Sequence, residues 1–134
     1  MKTNSGLFLS IVILSVLSVF MVGCINNSSQ LFSGSKTGND NQFLADFDIL
    51  NTTITSNMPL LAGDSIAVAI DIKKGAVDIK VANENGTIAY QGNNVPTGNF
   101  TIVIKDAGTY SFNITGFKAK GSVHFEKVYK QSKI

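Results

Sequence analysis

The feature that most restricts the fold of this chain is an alternation of apolar with small or polar residues through its second half. Isoleucine or valine occupies every second position from residue 66 to 72, with alanine or aspartate between them. Runs with the same period occur at residues 47–49, 77–81, 88–90, 100–104, 110–114 and 123–125. Because successive side chains of a strand point to opposite faces, this pattern is typical of half-buried β-strands. No helical apolar spacing persists, and the domain is predicted to be all-β.

Turn residues separate these runs. Asn85-Gly86 is a strong hairpin signal because both residues tolerate positive φ. Glycine-containing segments at 62–64, 73–75 and 106–108 are interpreted as the other breaks between strands. About seven short strands predict an antiparallel β-sandwich over residues 43–134. Tyr110 and Phe112 share the parity of Ile114 and are predicted to lie in its core.

The first 24 residues have the composition of an export signal. Lys2 precedes an apolar run over residues 7–22 that only three serines interrupt. The run is shorter than the ~20 apolar residues that a membrane-spanning helix needs. It is followed by Gly23 and by Cys24, the only cysteine of the chain. We interpret residues 1–23 as a helical signal peptide.

Residues 21–24, Met-Val-Gly-Cys, resemble a bacterial lipobox, with methionine where leucine is usual. In that family the cysteine thiol receives a diacylglyceryl group and the signal is removed. The resemblance implies that Cys24 is the first residue of the mature protein, that palmitate is an expected acyl chain, and that the protein is anchored on the extracytoplasmic face of the cell membrane. A conventional signal peptide with a free thiol, an uncleaved anchor and an internal core helix are the alternatives.

The segment that follows Cys24 is rich in asparagine, serine and glycine. Such a composition buries too little apolar surface to fold on its own. Residues 24–42 are therefore predicted to be the lipidated cysteine and a flexible linker.

A second resemblance rests on the order of three segments. Ala-Gly-Asp at 62–64, the strand at 77–81 before an Asn-Gly turn, and Ala-Gly-Thr-Tyr-Ser-Phe at 107–112 are similar to jelly-roll modules of the bacterial pre-peptidase C-terminal type and, more loosely, to CUB-like domains. The similarity covers residues 61–128. It implies a jelly-roll-like accessory or interaction module attached to something else, which in this chain we expect to be the lipid.

Composition and motifs argue against several other functions. All eleven basic residues are lysine against nine acidic residues, so the basic stripe of a nucleic-acid-binding protein is absent from the sequence. His124 is the only histidine, and no Gly-x-Ser-x-Gly element accompanies it. We therefore predict no catalytic residues and no enzymatic activity.

Metal and cofactor binding are not predicted either. The aspartates considered for a structural calcium site are Asp46, Asp48, Asp64, Asp78 and Asp106. No loop is acidic enough to form such a site, and we interpret these residues as solvated.

One outward surface carries small or apolar residues where charged residues are expected. Its members are Ala67, Ala69, Ala89 and Val103. If their strands are neighbours, they form an apolar patch suited to a protein or envelope-polymer partner; tolerated alanines at half-exposed positions are the alternative. We predict a lipid-anchored extracytoplasmic binding or scaffolding module of the cell envelope. A small accessory subunit of a membrane complex or transporter is the second hypothesis.

The lipobox predicts the chemistry of the mature N-terminus. Mass spectrometry of the protein purified from membranes is expected to show a diacylglyceryl-modified Cys24 as the first residue, because the chain offers no other thiol. An unmodified thiol, or a terminus at another residue, would contradict this prediction.

Overall fold

The computed structural model describes residues 30–129, which form seven β-strands. They are β1 (Leu31–Gly38), β2 (Gln42–Asn51), β3 (Thr53–Leu60), β4 (Ser65–Asn83), β5 (Ile88–Gly92), β6 (Gly98–Val103) and β7 (Gly108–Val128). All pairings are antiparallel. None of these residues belongs to a helix long and apolar enough to cross a bilayer. The predicted all-β class is confirmed, while the signal peptide and Cys24 lie outside the described residues.

Two long strands, β4 and β7, pair with each other along almost their whole length. Residues 65–72 of β4 pair with residues 121–128 of β7, and residues 76–83 of β4 pair with residues 110–117 of β7. The register shifts twice between Ile72 and Ala76. We call residues 73–75 and 117–120 the bend, because on its two sides these strands belong to different layers of the fold.

Each layer is completed by strands that pair with one half of the long pair. Layer A has the order β1-β2-β7-β4-β6 and contains the first half of β4. Layer B has the order β3-β7-β4-β5 and contains the second half of β4. The seven-stranded sheet is thus folded over itself into an antiparallel sandwich.

Aromatic contacts between the layers fill the core. Phe112 of layer B meets Phe125 of layer A edge to face, with 4.9 Å between ring centroids, and Phe125 also stacks on Phe43 at 6.2 Å. At the side of the sandwich formed by β5 and β6, the Tyr90 and Phe100 rings are 4.8 Å apart. The predicted core residues Tyr110 and Phe112 are buried, with exposures of 1% and 0%.

The predicted division into short strands is wrong in two places. Residues 73–75, predicted to be a break between strands, lie inside β4, where the strand bends. The runs at 110–114 and 123–125 likewise belong to one strand, β7. A bend that keeps the pairing with the neighbouring strand has the same local sequence signature, glycine among polar residues, as a true connection.

The predicted linker over residues 24–42 is wrong for its second half. Residues 31–38 form β1, which pairs in antiparallel register with β2, and the domain begins there and not at residue 43. Most of β1 is exposed, and only Phe32 packs against the core. An edge strand can be held by backbone hydrogen bonds to one neighbour, so its composition resembles that of a linker.

Gly75 lies at the bend with a φ of 71°. A Cβ atom on Gly75 would lie 2.4 Å from the carbonyl oxygen of Lys118 on the neighbouring strand. Glycine allows both the left-handed backbone and the close approach of β7.

The edge-to-face packing of Phe112 predicts a large loss of stability when its ring is removed. Phe112→Ala is expected to lower the free energy of unfolding by about 3–5 kcal/mol. Val103→Ala is the control, because Val103 is 59% exposed and a surface change of this kind costs at most about 0.5 kcal/mol. Denaturant unfolding measures both; equal midpoints would contradict the sandwich core.

Gly75 and Gly86 have similar φ values but different surroundings. Replacing each by alanine therefore distinguishes the cost of crowding at the bend from the cost of the left-handed backbone. Gly86 has a φ of 83° and nothing within 4 Å of a Cβ atom. Gly86→Ala is expected to cost roughly 1–2 kcal/mol from the left-handed backbone alone. Gly75→Ala is expected to cost a further ~1–3 kcal/mol because β7 must shift. Thermal unfolding compares the two; equal losses would show that the strands are not in close contact at Gly75.

Candidate binding face

The outer face of layer A is built on the first half of β4. Ile66, Val68 and Ile70 point into the core, with exposures of 0%, 2% and 3%. The strand alternation therefore places Ala67 and Ala69 on the outside, where Ala67 is half-buried and Ala69 is exposed.

The neighbouring strands provide larger polar residues beside these alanines. Ala69 is in register with Asn99 of β6 and with His124 of β7. Ala67 is in register with Thr101 and Glu126 on the same two strands. Small side chains on the central strand between larger ones on both sides produce a groove that runs along β4.

This groove has a volume of about 440 Å³ and is open to solvent. We call it the alanine groove, and it is lined by Ala67, Val68, Ala69, Asn99, Phe100, Thr101, His124 and Glu126. Its rims offer an amide and a hydroxyl on the β6 side and a carboxylate and an imidazole on the β7 side. These groups can donate and accept hydrogen bonds along a bound chain.

Three of the rim side chains are available for such bonds. Asn99, Thr101 and Glu126 are exposed, and none of their side chains is hydrogen-bonded to another residue between 30 and 129. His124 differs, because its Nε2 atom lies 3.1 Å and 3.3 Å from the two carboxylate oxygens of Asp46 on β2. A carboxylate at this distance fixes the orientation of the imidazole ring.

The outer face of layer B contrasts with this arrangement, since its side chains bond to one another across β3 and β7. The hydroxyls of Thr53 and Thr115 are 2.7 Å apart, and Thr55 donates to the side chain of Asn113 at 2.8 Å. Ser111 donates to Asn57 at 2.8 Å. On layer B these polar side chains therefore hydrogen-bond to one another, whereas on layer A the side chains of Asn99, Thr101 and Glu126 are available to a partner.

The structure separates the four residues predicted to form one apolar patch. Ala67 and Ala69 share the floor of the alanine groove, and Val103 lies on the same layer in register with Ser65. The placement of Ala89 is wrong, because Ala89 packs against the core. Ala89 and Val103 instead line a smaller depression of about 130 Å³ beside Tyr110.

The error at Ala89 has two physical causes. Strand β5 pairs with the second half of β4 and so belongs to layer B. A register shift between Val81 and Ala82 also offsets β5 against its neighbour, and Ile88, the first apolar residue of the alternating run at 88–90, is 49% exposed. A β-bulge changes which side of the sheet each residue faces, and the alternation of a short strand does not reveal it.

His124 lies on the outward face, as its parity predicts, whereas its pairing with Asp46 is not predicted by the sequence. Both residues have the parity of an outward face, but their proximity depends on the pairing of β2 with β7, which the sequence does not specify. Within the described residues the imidazole is thus paired with one carboxylate, and no protein hydroxyl is hydrogen-bonded to it.

The aspartates considered for calcium binding are dispersed over the molecule. A carboxylate oxygen of Asp64 accepts from the Leu61 N–H at 2.8 Å, and Asp78 accepts from the Asn94 N–H at 2.8 Å. Asp46 and Asp48 line a depression of about 420 Å³ that also contains Lys73 and Lys120. No cluster of three or more His, Cys, Asp or Glu residues suited to a metal ion occurs in the described part of the chain.

No protein-family model and no curated protein matches the sequence. Solved structures with a similar backbone include PliG of Aeromonas hydrophila, a periplasmic inhibitor of g-type lysozyme. The similarity has a TM-score of 0.47 at 15% sequence identity, and it covers 72% of this chain and 89% of that chain. At this level it carries no information about a shared function. The resemblance to pre-peptidase C-terminal and CUB-like modules stays a prediction.

Proposed function

We propose that this protein is a lipid-anchored extracytoplasmic module of the bacterial cell envelope that binds a partner through the alanine groove. The observation that carries the proposal is the difference between the two outer faces. On layer B the polar side chains bond to one another, whereas Asn99, Thr101 and Glu126 on layer A are exposed beside a floor of alanines.

The shape of the groove favours an extended segment of a protein partner. The two rims are on strands that flank β4, so they are about 10 Å apart, twice the spacing between neighbouring strands. This width suits a single extended chain. Sugar-binding surfaces normally present flat aromatic rings, and this chain has no tryptophan. A peptide segment is therefore favoured over a glycan strand of the envelope.

The location follows from the N-terminal sequence. The lipobox-like residues 21–24 support acylation of Cys24, and an anchor of two or more acyl chains holds a protein stably at a membrane. Six residues separate Cys24 from the first residue of β1. The module would thus be held close to the lipid surface.

A binding role accounts for His124 better than an enzymatic role. The carboxylate of Asp46 orients the imidazole at the β7 side of the groove, where the ring can hydrogen-bond to a partner. Catalysis by a His–Asp pair would need a nucleophile or a bound water beside the free ring nitrogen. Such a nucleophile is not hydrogen-bonded to His124 within residues 30–129.

Two alanine-to-lysine variants on the same strand test the proposal. Ala69→Lys places a long charged side chain on the groove floor, and Ala82→Lys places it on the outer side of layer B, beside Asn57 and Ser111. Ala69→Lys is expected to abolish co-purification of the partner from detergent-solubilised membranes. Ala82→Lys is expected to retain it, and both variants should melt like the wild type.

Three other outcomes decide between the alternatives. Retention of the partner by Ala69→Lys would show that the groove is not the contact surface. Unfolding of Ala69→Lys alone would show that this face is internal. A set of membrane proteins that co-purifies at fixed stoichiometry would favour the accessory-subunit hypothesis.

A further inference from the structure

We propose that the end of the sandwich formed by the bend docks on anionic lipid headgroups of the membrane that holds the anchor. The inference rests on the lipid anchor of the proposed function and extends it, because it assigns a second contact and an orientation to the domain. Two features of the bend support it, namely the entry point of the chain and the distribution of lysines, and an exposed aromatic ring among those lysines adds to the second.

The chain enters the domain at this end. Leu31, the first residue of β1, is in register with Asn51, the last residue of β2. The side-chain oxygen of Asn51 accepts a hydrogen bond of 3.0 Å from the Lys118 N–H in the bend. The lipid-bearing segment is therefore joined to the domain beside the bend.

The length of that segment restricts the distance to the bilayer. Seven Cα–Cα steps from Cys24 to Leu31 span at most about 25 Å when fully extended. The eight residues of β1 span a similar length, roughly 26 Å, from the bend to the opposite end of layer A. The linker would have to run the whole length of the domain to bring the opposite end to the membrane, whereas the bend needs almost none of it.

Charge is unevenly distributed between the two ends. Lys73, Lys74, Lys118 and Lys120 lie at the bend, which is half of the eight lysines between residues 30 and 129. All four are exposed, and only Lys73 forms an ion pair within that range, with Asp71 at 3.1 Å. The opposite end carries four acidic residues in its turns, Asp40, Asp64, Glu84 and Asp106, against two lysines, Lys105 and Lys127, of which Lys127 pairs with Asp64 at 3.6 Å. A basic end and an acidic end orient a protein at an anionic surface.

Two of the seven large exposed apolar side chains of the described residues lie beside these lysines. The other five, Leu61, Ile88, Val103, Val128 and Tyr129, lie elsewhere, so the bend is distinguished by the combination of exposed apolar side chains with lysines and not by apolar exposure alone. Phe117 is 50% exposed within the bend, and Leu31 is 48% exposed at the start of β1. Next to Phe117, Lys118 has a φ of 48°, a left-handed conformation that is uncommon for lysine. An aromatic ring among lysines is the combination by which peripheral proteins contact the headgroup region, where the ring inserts and the ammonium groups pair with phosphates.

A tryptophan introduced at the bend reports this contact without interference, because the chain has none of its own. Phe117→Trp and the control Ile88→Trp are made in the full chain, purified from membranes and reconstituted into vesicles. The control position is 49% exposed and lies at the opposite end, at the start of β5. The vesicles contain brominated phosphatidylcholine, alone or mixed with phosphatidylglycerol.

Docking predicts that the fluorescence of the Phe117→Trp variant is quenched several-fold more than that of the Ile88→Trp variant in the phosphatidylglycerol vesicles. Added salt, or the double change Lys118→Gln and Lys120→Gln, is expected to remove the difference. Equal quenching of the two variants would overturn the proposal.

The unsubstituted protein gives a second test that does not depend on the folding of a variant. Phosphatidylglycerol vesicles should protect Lys74, Lys118 and Lys120 from an amine-reactive label while Lys105 stays reactive. Uniform labelling of these lysines would contradict docking.

Flotation separates this proposal from that of the anchor. If the full chain floats with vesicles, Cys24→Ala does not, and the two tryptophan variants are quenched equally, the anchor stands and docking is wrong. If the full chain and Cys24→Ala float equally poorly, the anchor is wrong. In that case the same vesicles are added to the Phe117→Trp variant in solution. If the tryptophan fluorescence is not quenched, docking is wrong as well.

Discussion

The pairing of β4 with β7 is the interaction on which the rest of the structure depends. These two strands form the centre of both layers, and each of the other strands is attached to one of them or, in the case of β1, to β2. The bend brings the two halves of the pair face to face, so that Phe112 and Phe125 of the same strand meet across the core. The long-range contacts that create the core thus arise from a single continuous strand pair.

Because the core depends on long-range strand pairing, only some features of the structure could be predicted from the sequence. Alternation identifies the all-β class and core residues such as Tyr110 and Phe112, because burial on one side of a strand follows directly from its period of two. The errors concern pairing. The bend at Gly75 and the bulge beside Ala82 depend on a neighbouring strand, and β1 is held by backbone bonds to β2. Of the four residues predicted to form one apolar patch, Ala67 and Ala69 on the floor of the alanine groove follow from parity, whereas the placement of Ala89 requires the strand order.

Threonine and asparagine side chains occur on both outer faces, but their hydrogen bonding differs because different residues stand opposite them. Threonine and asparagine on layer B stand opposite one another and form closed hydrogen bonds, as between Thr55 and Asn113. On layer A, Asn99 and Thr101 stand opposite alanines, which offer no hydrogen-bonding group. The available polar groups of the groove therefore result from the register between β6 and β4 and not from composition.

The position of β1 has a mechanical consequence for a protein tethered by its N-terminus. β1 is the edge strand of layer A, the layer that also carries the alanine groove. A partner pulled away from the membrane would load the path β4-β7-β2-β1 within one hydrogen-bonded layer. If the proposed anchor at Cys24 holds the chain, tension would enter β1 at the bend and act in shear on all eight register pairs with β2 at once. The core between the layers would carry little of that force.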